Sequence, residues 1–219
     1  KPDLGLEYHR SSKAEVDPTT SCITIFSDSS FAPRGRESQT GAIVCWTSEV
    51  GNPNAQFTIA WLSTKQRLLA ESSCEAELIA CNEGFRVGRN IGSIFDELSL
   101  LRPTHKVDLA VDNKSTIQVI QGASNLVWRT RHISIKAHRL SQEVSRGTVG
   151  IRHVGTKEEI ADYLTKPLPI SSLDPLLKLS NLVCVTDSKP STTSGDHKHG
   201  EKWKDKQANQ TEMKLDTCD

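Results

Sequence analysis

Cys22-Ile23-Thr24-Ile25-Phe26-Ser27-Asp28 is a run of apolar and β-branched residues that closes on an acid. Bounded by turn formers, such a run predicts a strand, and Asp28 then stands where the strand hands over to a loop. Val107-Asp108-Leu109-Ala110-Val111 repeats the pattern and closes on Asp112. A glutamate in Ser72-Ser73-Cys74-Glu75-Ala76-Glu77 opens a predicted helix, and Asp162 lies just inside a helix opened by Thr156. Acids scattered over a surface cost nothing, but acids gathered at sheet ends repel one another unless a divalent cation neutralises them. That is the electrostatic logic of a magnesium site, and the set points to a metal-dependent nuclease.

Outward from the first strand, residues 40–46 and 56–62 also read as strands, separated by Pro33-Arg34-Gly35 and Gly51-Asn52-Pro53-Asn54. Loops this short imply an antiparallel meander. A long helix is expected from Ser72 to about Leu101, stopped by Pro103. Its apolar face carries Cys74, Leu78, Cys81, Phe85 and Phe95, while Gly84, Gly88 and Gly92 weaken the helix but permit a close backbone approach. A strand at 107–111, helices at 113–121 and 132–146, a strand at 148–154 and a helix at 157–165 follow. The expected fold is α/β, a five-stranded mixed sheet of meander plus parallel strands flanked by helices. Trp46 and Trp61 are expected in the core.

The 219 residues, 36% hydrophobic and 25% charged, predict one soluble globular domain with less ordered ends. Residues 1–19 read as a tether, 20–169 as the domain, and 170–219 as a largely disordered C-terminal tail, since 186–219 lack the apolar residues that would offset chain entropy. No apolar stretch approaches the roughly 20 residues that span a bilayer, and Lys1-Pro2-Asp3-Leu4 opens no signal region, so neither membrane nor secretion is expected. The only methionine is Met213, and a chain opening on Lys1 is expected to be cut from a longer precursor. A formal net charge of zero leaves nucleic-acid binding to local basic clusters. The six cysteines form no C-x-x-C pair and read as free thiols.

Four motifs carry a resemblance. Ala70-Glu71-Ser72-Ser73-Cys74-Glu75-Ala76-Glu77, Val111-Asp112-Asn113-Lys114-Ser115, Arg129-Thr130-Arg131-His132-Ile133 and Ile160-Ala161-Asp162-Tyr163-Leu164-Thr165-Lys166-Pro167-Leu168, in this order, resemble the ribonuclease H domain of copia-type LTR-retrotransposon Pol polyproteins. Asp3-Leu4-Gly5-Leu6-Glu7-Tyr8 resembles the link from a preceding reverse transcriptase, which would make 1–19 its tether. The resemblance implies a ribonuclease H fold and an endoribonuclease that hydrolyses the RNA strand of RNA–DNA hybrids during reverse transcription. It implies Asp28, Glu77, Asp112 and Asp162 as catalytic metal ligands, two Mg2+ ions with Mn2+ as a substitute, and as partners the hybrid and the reverse transcriptase of the same polyprotein. The implied location is cytoplasmic, within a virus-like particle.

The glutamate needs a choice. Glu75 and Glu77 lie about 200° apart on a helix, so both cannot face one site, and periodicity alone leaves them open. Glu77-Leu78-Ile79-Ala80 resembles the E-L-x-A run of related ribonucleases H, which selects Glu77 and holds Glu75 in reserve. The chain departs from its relatives at His132-Ile133-Ser134-Ile135, where many have an acid in place of Ser134. It also lacks a histidine in the short loop Val154-Gly155-Thr156-Lys157-Glu158-Glu159.

Phosphodiester hydrolysis needs an activated water, neutralised phosphoryl oxygens and support for the leaving 3′ oxygen, which two magnesium ions roughly 3.5–4 Å apart supply. Taken singly, Asp112 and Asp162 also fit helix capping. Phosphate contacts are expected from Arg34, Arg36, Arg129, Arg131, His132, Lys136 and Arg139, and 2′-hydroxyl recognition from Ser29, Ser30 and Asn113. The alternative to an active enzyme is a catalytically inactive hybrid-binding or structural connection module from a degenerate retroelement copy.

Overall fold

The computed structural model describes residues 4–8, 20–32, 37–48, 55–99, 107–122 and 131–184, with backbone alone at 131–136 and 184. In chain order the elements are β1 (Leu4–Leu6), β2 (Cys22–Ser30), β3 (Gln39–Thr47), β4 (Gln56–Lys65), α1 (Ser73–Glu97), β5 (Val107–Val111), α2 (Lys114–Gln121), α3 (Arg131–Ser145) and β6 (Val149–His153). A 3-10 helix (Ile160–Leu164), α4 (Ile170–Leu179) and β7 (Leu182–Cys184) complete them.

The apolar run at 22–26 becomes the central strand of a five-stranded sheet ordered β4-β3-β2-β5-β6. β2, β3 and β4 form the expected antiparallel meander, and β5 and β6 add on parallel to β2. This is the mixed sheet of meander plus parallel strands expected from the sequence. Both faces of β2 are covered, which is why its run is uninterrupted. Ile23 and Ile25 meet Leu78, Cys81 and Phe85 of α1 and Leu140 of α3 on one face. Phe26 packs with Ile43, Ala110, Ile160 and Leu176 on the other.

The glycines of α1 set its distance from the sheet. A Cβ at Gly88 would collide with the Ile25 side chain, and one at Gly84 would lie 3.1 Å from Ile25 Cγ2. Helix and sheet therefore meet backbone to side chain, as the four-residue glycine spacing suggested.

Four expectations differ from the structure. α1 ends at Glu97, capped by Leu98, rather than near Leu101. The helix expected over 157–165 is a 3-10 helix of five residues, because the Glu159 side chain accepts from Ala161 N at 3.1 Å and starts it there rather than at Thr156. Trp61 is 61% exposed on edge strand β4, beside Leu6, Tyr163, Leu164 and Leu182, whereas Trp46 packs on Phe57 and Phe95 as expected.

The fourth difference is that folded structure continues past Pro169. α4 buries Leu176, and β7 pairs antiparallel with β1, which also draws Leu4–Leu6 out of the expected tether. Gln56 Nε2 donates to Leu179 O at 3.1 Å and Thr58 Oγ1 to Ser180 O at 2.8 Å, fastening this segment to β4. Pro169 sits at the N-cap of α4, where no N–H is needed, and Leu173, Leu176 and Leu177 keep helical spacing around Pro175. A chain ending at Pro169 is therefore expected to lose about 2–4 kcal/mol of stability, from one buried leucine and several hydrogen bonds. Urea melts check this against a chain ending at Val185, which should match the full chain. Residues 186–219 of the expected tail lie outside the described residues.

Among the described cysteines, Cys22, Cys45 and Cys81 are buried and outside any disulfide, as expected of thiols in apolar segments, and Cys74 is half-buried and also outside any disulfide. Among the described residues, no helix is long and apolar enough to cross a membrane.

Candidate active site

Parallel pairing brings the first two acids together. β2 and β5 are in register from Ile23↔Val107 to Phe26↔Ala110. Two residues further along each strand come Asp28 and Asp112. Side chains alternate along a strand, so both carboxylates leave the sheet's carboxyl end side by side. Open α/β sheets bind ligands at that end.

Helix α1 supplies the third. Glu77, Cys81, Gly84, Gly88 and Gly92 follow at three- and four-residue steps, so the stripe that lies on β2 also carries Glu77 to its end. Cys81 Sγ lies 3.3 Å from Ser27 Oγ, and Ser29 donates to Glu77 Oε1 from its Oγ at 3.0 Å and its N at 3.3 Å. Glu75 faces elsewhere: its carboxylate accepts from Glu71 N at 2.8 Å, within the turn that Ser72 caps. One carboxylate oxygen each from Asp28, Glu77 and Asp112 lies within 4.8 Å of the others.

The fourth acid arrives from the opposite face. In a 3-10 helix, side chains three apart eclipse one another. Asp162 and Thr165 thus share a line, and Thr165 Oγ1 donates to Asp28 Oδ2. The chain can approach this closely because Asp28 pairs across β3 with Gly41, where a Cβ would lie 2.6 Å from Thr165 Cγ2 and 2.9 Å from Ala161 O. Asp162 does not join the close group of three carboxylates. Its Oδ1 instead holds Lys166 Nζ at 2.8 Å, and the same ammonium lies 3.9 Å from Asp28 Oδ2.

Capping does not account for these acids. Asn113 caps α2 by accepting from Thr116 N at 3.1 Å, and Glu159 caps the 3-10 helix, so neither Asp112 nor Asp162 is the cap. The electrostatics are those of a crowded cluster. Burial, then the charge of Asp28, pushes Glu77 up to about 8. Burial raises Asp28 to about 6 against the opposing pull of Thr165 and Lys166. Asp112 is raised by burial and by Asp162, and burial lifts Glu159 well above the usual carboxylate range. Burial works against the Lys166 ammonium, but the Asp162 hydrogen bond and the charges of Asp28, Asp162 and Asp112 outweigh it, so its pKa rises.

The cluster fits a hard divalent cation. Its donors are all oxygens, and Glu77 Oε2 is buried without a hydrogen-bond partner, an acceptor directed at nothing the protein supplies. The folded protein retains protons on Glu77 up to about 8 and on Asp28 up to about 6, which an unfolded chain releases near 4.5 and 3.8. The stability linked to these protons is complete below the unfolded values and lost as pH rises through the folded ones. Metal-free protein is therefore expected to melt at lower temperature at pH 8.5 than at pH 5.5. Added Mg2+ should raise the midpoint more at the higher pH, because cation binding requires the deprotonated acids. Thermal melts with and without Mg2+ check both signs.

Of the other expected site residues, Ser29 serves Glu77, Asn113 caps α2, and Ser30 is half-buried at the end of β2. Arg131, His132 and Lys136 lie in α3, described by backbone alone, while Arg34, Arg36 and Arg129 lie outside the described residues. Arg139 lies over the Phe85 ring at 5.6 Å. Sequence reasoning missed Thr165, Lys166, Glu159 and His153. The first two sit inside the motif that carries Asp162, and their place in it was the available signal. His153 Nε2 lies 3.0 Å from Asp112 O, one residue before the loop in which a histidine was sought.

No protein-family model matches the chain. It is 32% identical over 171 residues to the transposon Ty1-LR3 Gag-Pol polyprotein of Saccharomyces cerevisiae, and 34% identical over the same length to the Ty1-ER2 Gag-Pol polyprotein. Each match covers 78% of this chain and 9% of the relative, so the chain spans about a tenth of the length of these polyproteins. Among solved structures, RNase H1 from Halobacterium salinarum aligns at 16% identity and a TM-score of 0.44, covering 65% of this chain and 93% of that one. LC11-RNase H1 from compost aligns at 20% identity and 0.45, covering 71% and 98%.

Proposed function

Because the chain is a homologue of one segment of the copia-type Gag-Pol polyproteins, we propose that it is their ribonuclease H, an endonuclease hydrolysing the RNA strand of RNA–DNA hybrids during reverse transcription. The observation that carries this reading is the convergence of Asp28, Glu77 and Asp112 at the carboxyl end of the central strands, with a buried Glu77 oxygen left unsatisfied.

Asp28, Glu77, Asp112 and Asp162 would hold two Mg2+ ions, or Mn2+ in their place. When bound, the ions lower the pKa of a water and neutralise charge on the phosphoryl and leaving oxygens. The protein's own part is positioning. Ser29 orients Glu77 through two donors on one oxygen, leaving the other for the cation. Thr165 fixes the Asp28 carboxylate, and His153 steadies the Asp112 backbone. Arg129, Arg131 and His132 stand before and at the start of α3, where side-chain charge and helix N–H groups together favour a substrate phosphate. Ser30, with Ser29 and Asn113, is the candidate reader of the ribose 2′-hydroxyl. In this reading the chain works beside the reverse transcriptase of its polyprotein, in cytoplasmic virus-like particles.

The test is a cleavage assay on labelled RNA presented as RNA–DNA hybrid, as duplex RNA and as single strand, each with Mg2+ and with chelator. Cleavage is expected only in the hybrid and only with Mg2+. Equal cutting of single-stranded or duplex RNA would refute the assignment of substrate.

A further inference from the structure

Lys166 lies between Asp162, which stands outside the three-carboxylate group, and Asp28, which belongs to it. Its Nζ is 2.8 Å from Asp162 Oδ1 and 3.9 Å from Asp28 Oδ2, and its side chain is 40% exposed. Its backbone N donates to Asp162 O at 3.2 Å, which fixes the root of the side chain while the stem reaches solvent. Asp28 thus has one oxygen within 4.8 Å of oxygens on Glu77 and Asp112 and its Oδ2 3.9 Å from the Lys166 ammonium. Glu77 Oε2 is buried with no hydrogen-bond donor beside it, whereas Asp28 and Asp162 already have a protein ammonium between them.

We propose that Lys166 is a built-in counter-cation that fills the Asp28–Asp162 side of the cluster, so that one divalent cation binds tightly at Asp28, Glu77 and Asp112 and a second binds only as Lys166 withdraws. This rests on the metal-site reading above and adds an order to it. Two cations cannot share one pair of carboxylates at these distances without strong repulsion. The exposed stem gives Lys166 a route out, and a withdrawn ammonium is placed to meet a phosphate of bound nucleic acid. Occupancy of the second cation position would thereby depend on substrate.

The experiment titrates Mn2+ into folded, metal-free protein at fixed pH, with free Mn2+ counted by its electron paramagnetic resonance signal. Wild type is expected to show one tight ion and a second at least about tenfold weaker, and Lys166→Met to tighten the second by about tenfold, the scale of one unit charge a few ångströms away in a partly solvated site. Lys166→Arg, which keeps the charge, should behave as wild type. Thermal melts give a second readout: Lys166→Met should start lower without metal and gain more from Mn2+. Unchanged affinities in Lys166→Met, with two ions bound to both proteins, would overturn the role of Lys166 alone. If wild type and Asp112→Asn bind Mn2+ equally weakly, the metal-site reading falls and this inference falls with it.

Discussion

Glu77→Gln is expected to reduce the rate of hybrid cleavage by about a hundredfold or more, while Glu75→Gln leaves it within a few-fold of wild type. Loss even of a residue behind the metal ligands typically costs about 10- to 100-fold, so loss of a ligand should cost at least the upper figure. Glu77 has an oxygen within 4.8 Å of oxygens on Asp28 and Asp112, whereas the Glu75 carboxylate is turned to Glu71 N. Glu75→Gln should register in stability instead, at about 1 kcal/mol, because a neutral acceptor replaces a charged one in a buried turn. Rates must be taken at saturating Mg2+, so that weakened binding is not read as lost chemistry. A dead Glu75→Gln beside an active Glu77→Gln would place the site two residues away.

Asp112→Asn should separate activity from stability. The amide keeps the side chain's shape but removes a charge from the cation's cage, and hybrid cleavage is expected to vanish. In metal-free protein the same change relieves repulsion, because Asp112 raises the carboxyls of Asp28, Glu77 and Glu159. The metal-free melting midpoint of Asp112→Asn should therefore equal or exceed that of wild type, as expected where a site holds like charges for function. Calorimetry without metal, paired with the cleavage assay, checks both halves. Magnesium-dependent turnover near the wild-type rate in the folded variant would remove Asp112 from the site.

The strands were legible because burial on both faces leaves long apolar runs; Asp112 follows the end of β5 as expected, whereas Asp28 lies inside β2, which runs on to Ser30. The glycine stripe of α1 was legible for a similar reason, since only a close approach explains glycine every fourth residue inside a helix. The choice between Glu75 and Glu77 was not settled by periodicity. It depends on which stripe lies on β2: Gly84 and Gly88 meet Ile25 and Gly92 meets Ile23, and Glu77 stands on that same stripe. The 3-10 character and later start of the helix expected over 157–165 were not legible because five residues carry no readable period, and with them went the alignment of Asp162 with Thr165 and the position of Lys166. α4 was missed because the polar composition of 186–219 was extended back to Pro169, past Leu173, Leu176 and Leu177. Its helix is held by contacts to β4, more than a hundred residues away, which no local pattern records.

The central claim, that this acid cluster is a metal-dependent nuclease centre for RNA–DNA hybrids, is tested most directly by one titration. Metal-free wild-type protein is mixed with end-labelled hybrid at pH 8.5, and RNA cleavage is followed as Mg2+ is added. The account predicts no cleavage before Mg2+, a rate that climbs to a plateau as Mg2+ is raised, and return to zero on chelation. Folded protein that binds the hybrid but leaves its RNA intact at every Mg2+ concentration, or that cuts it equally well in chelator, would contradict the claim.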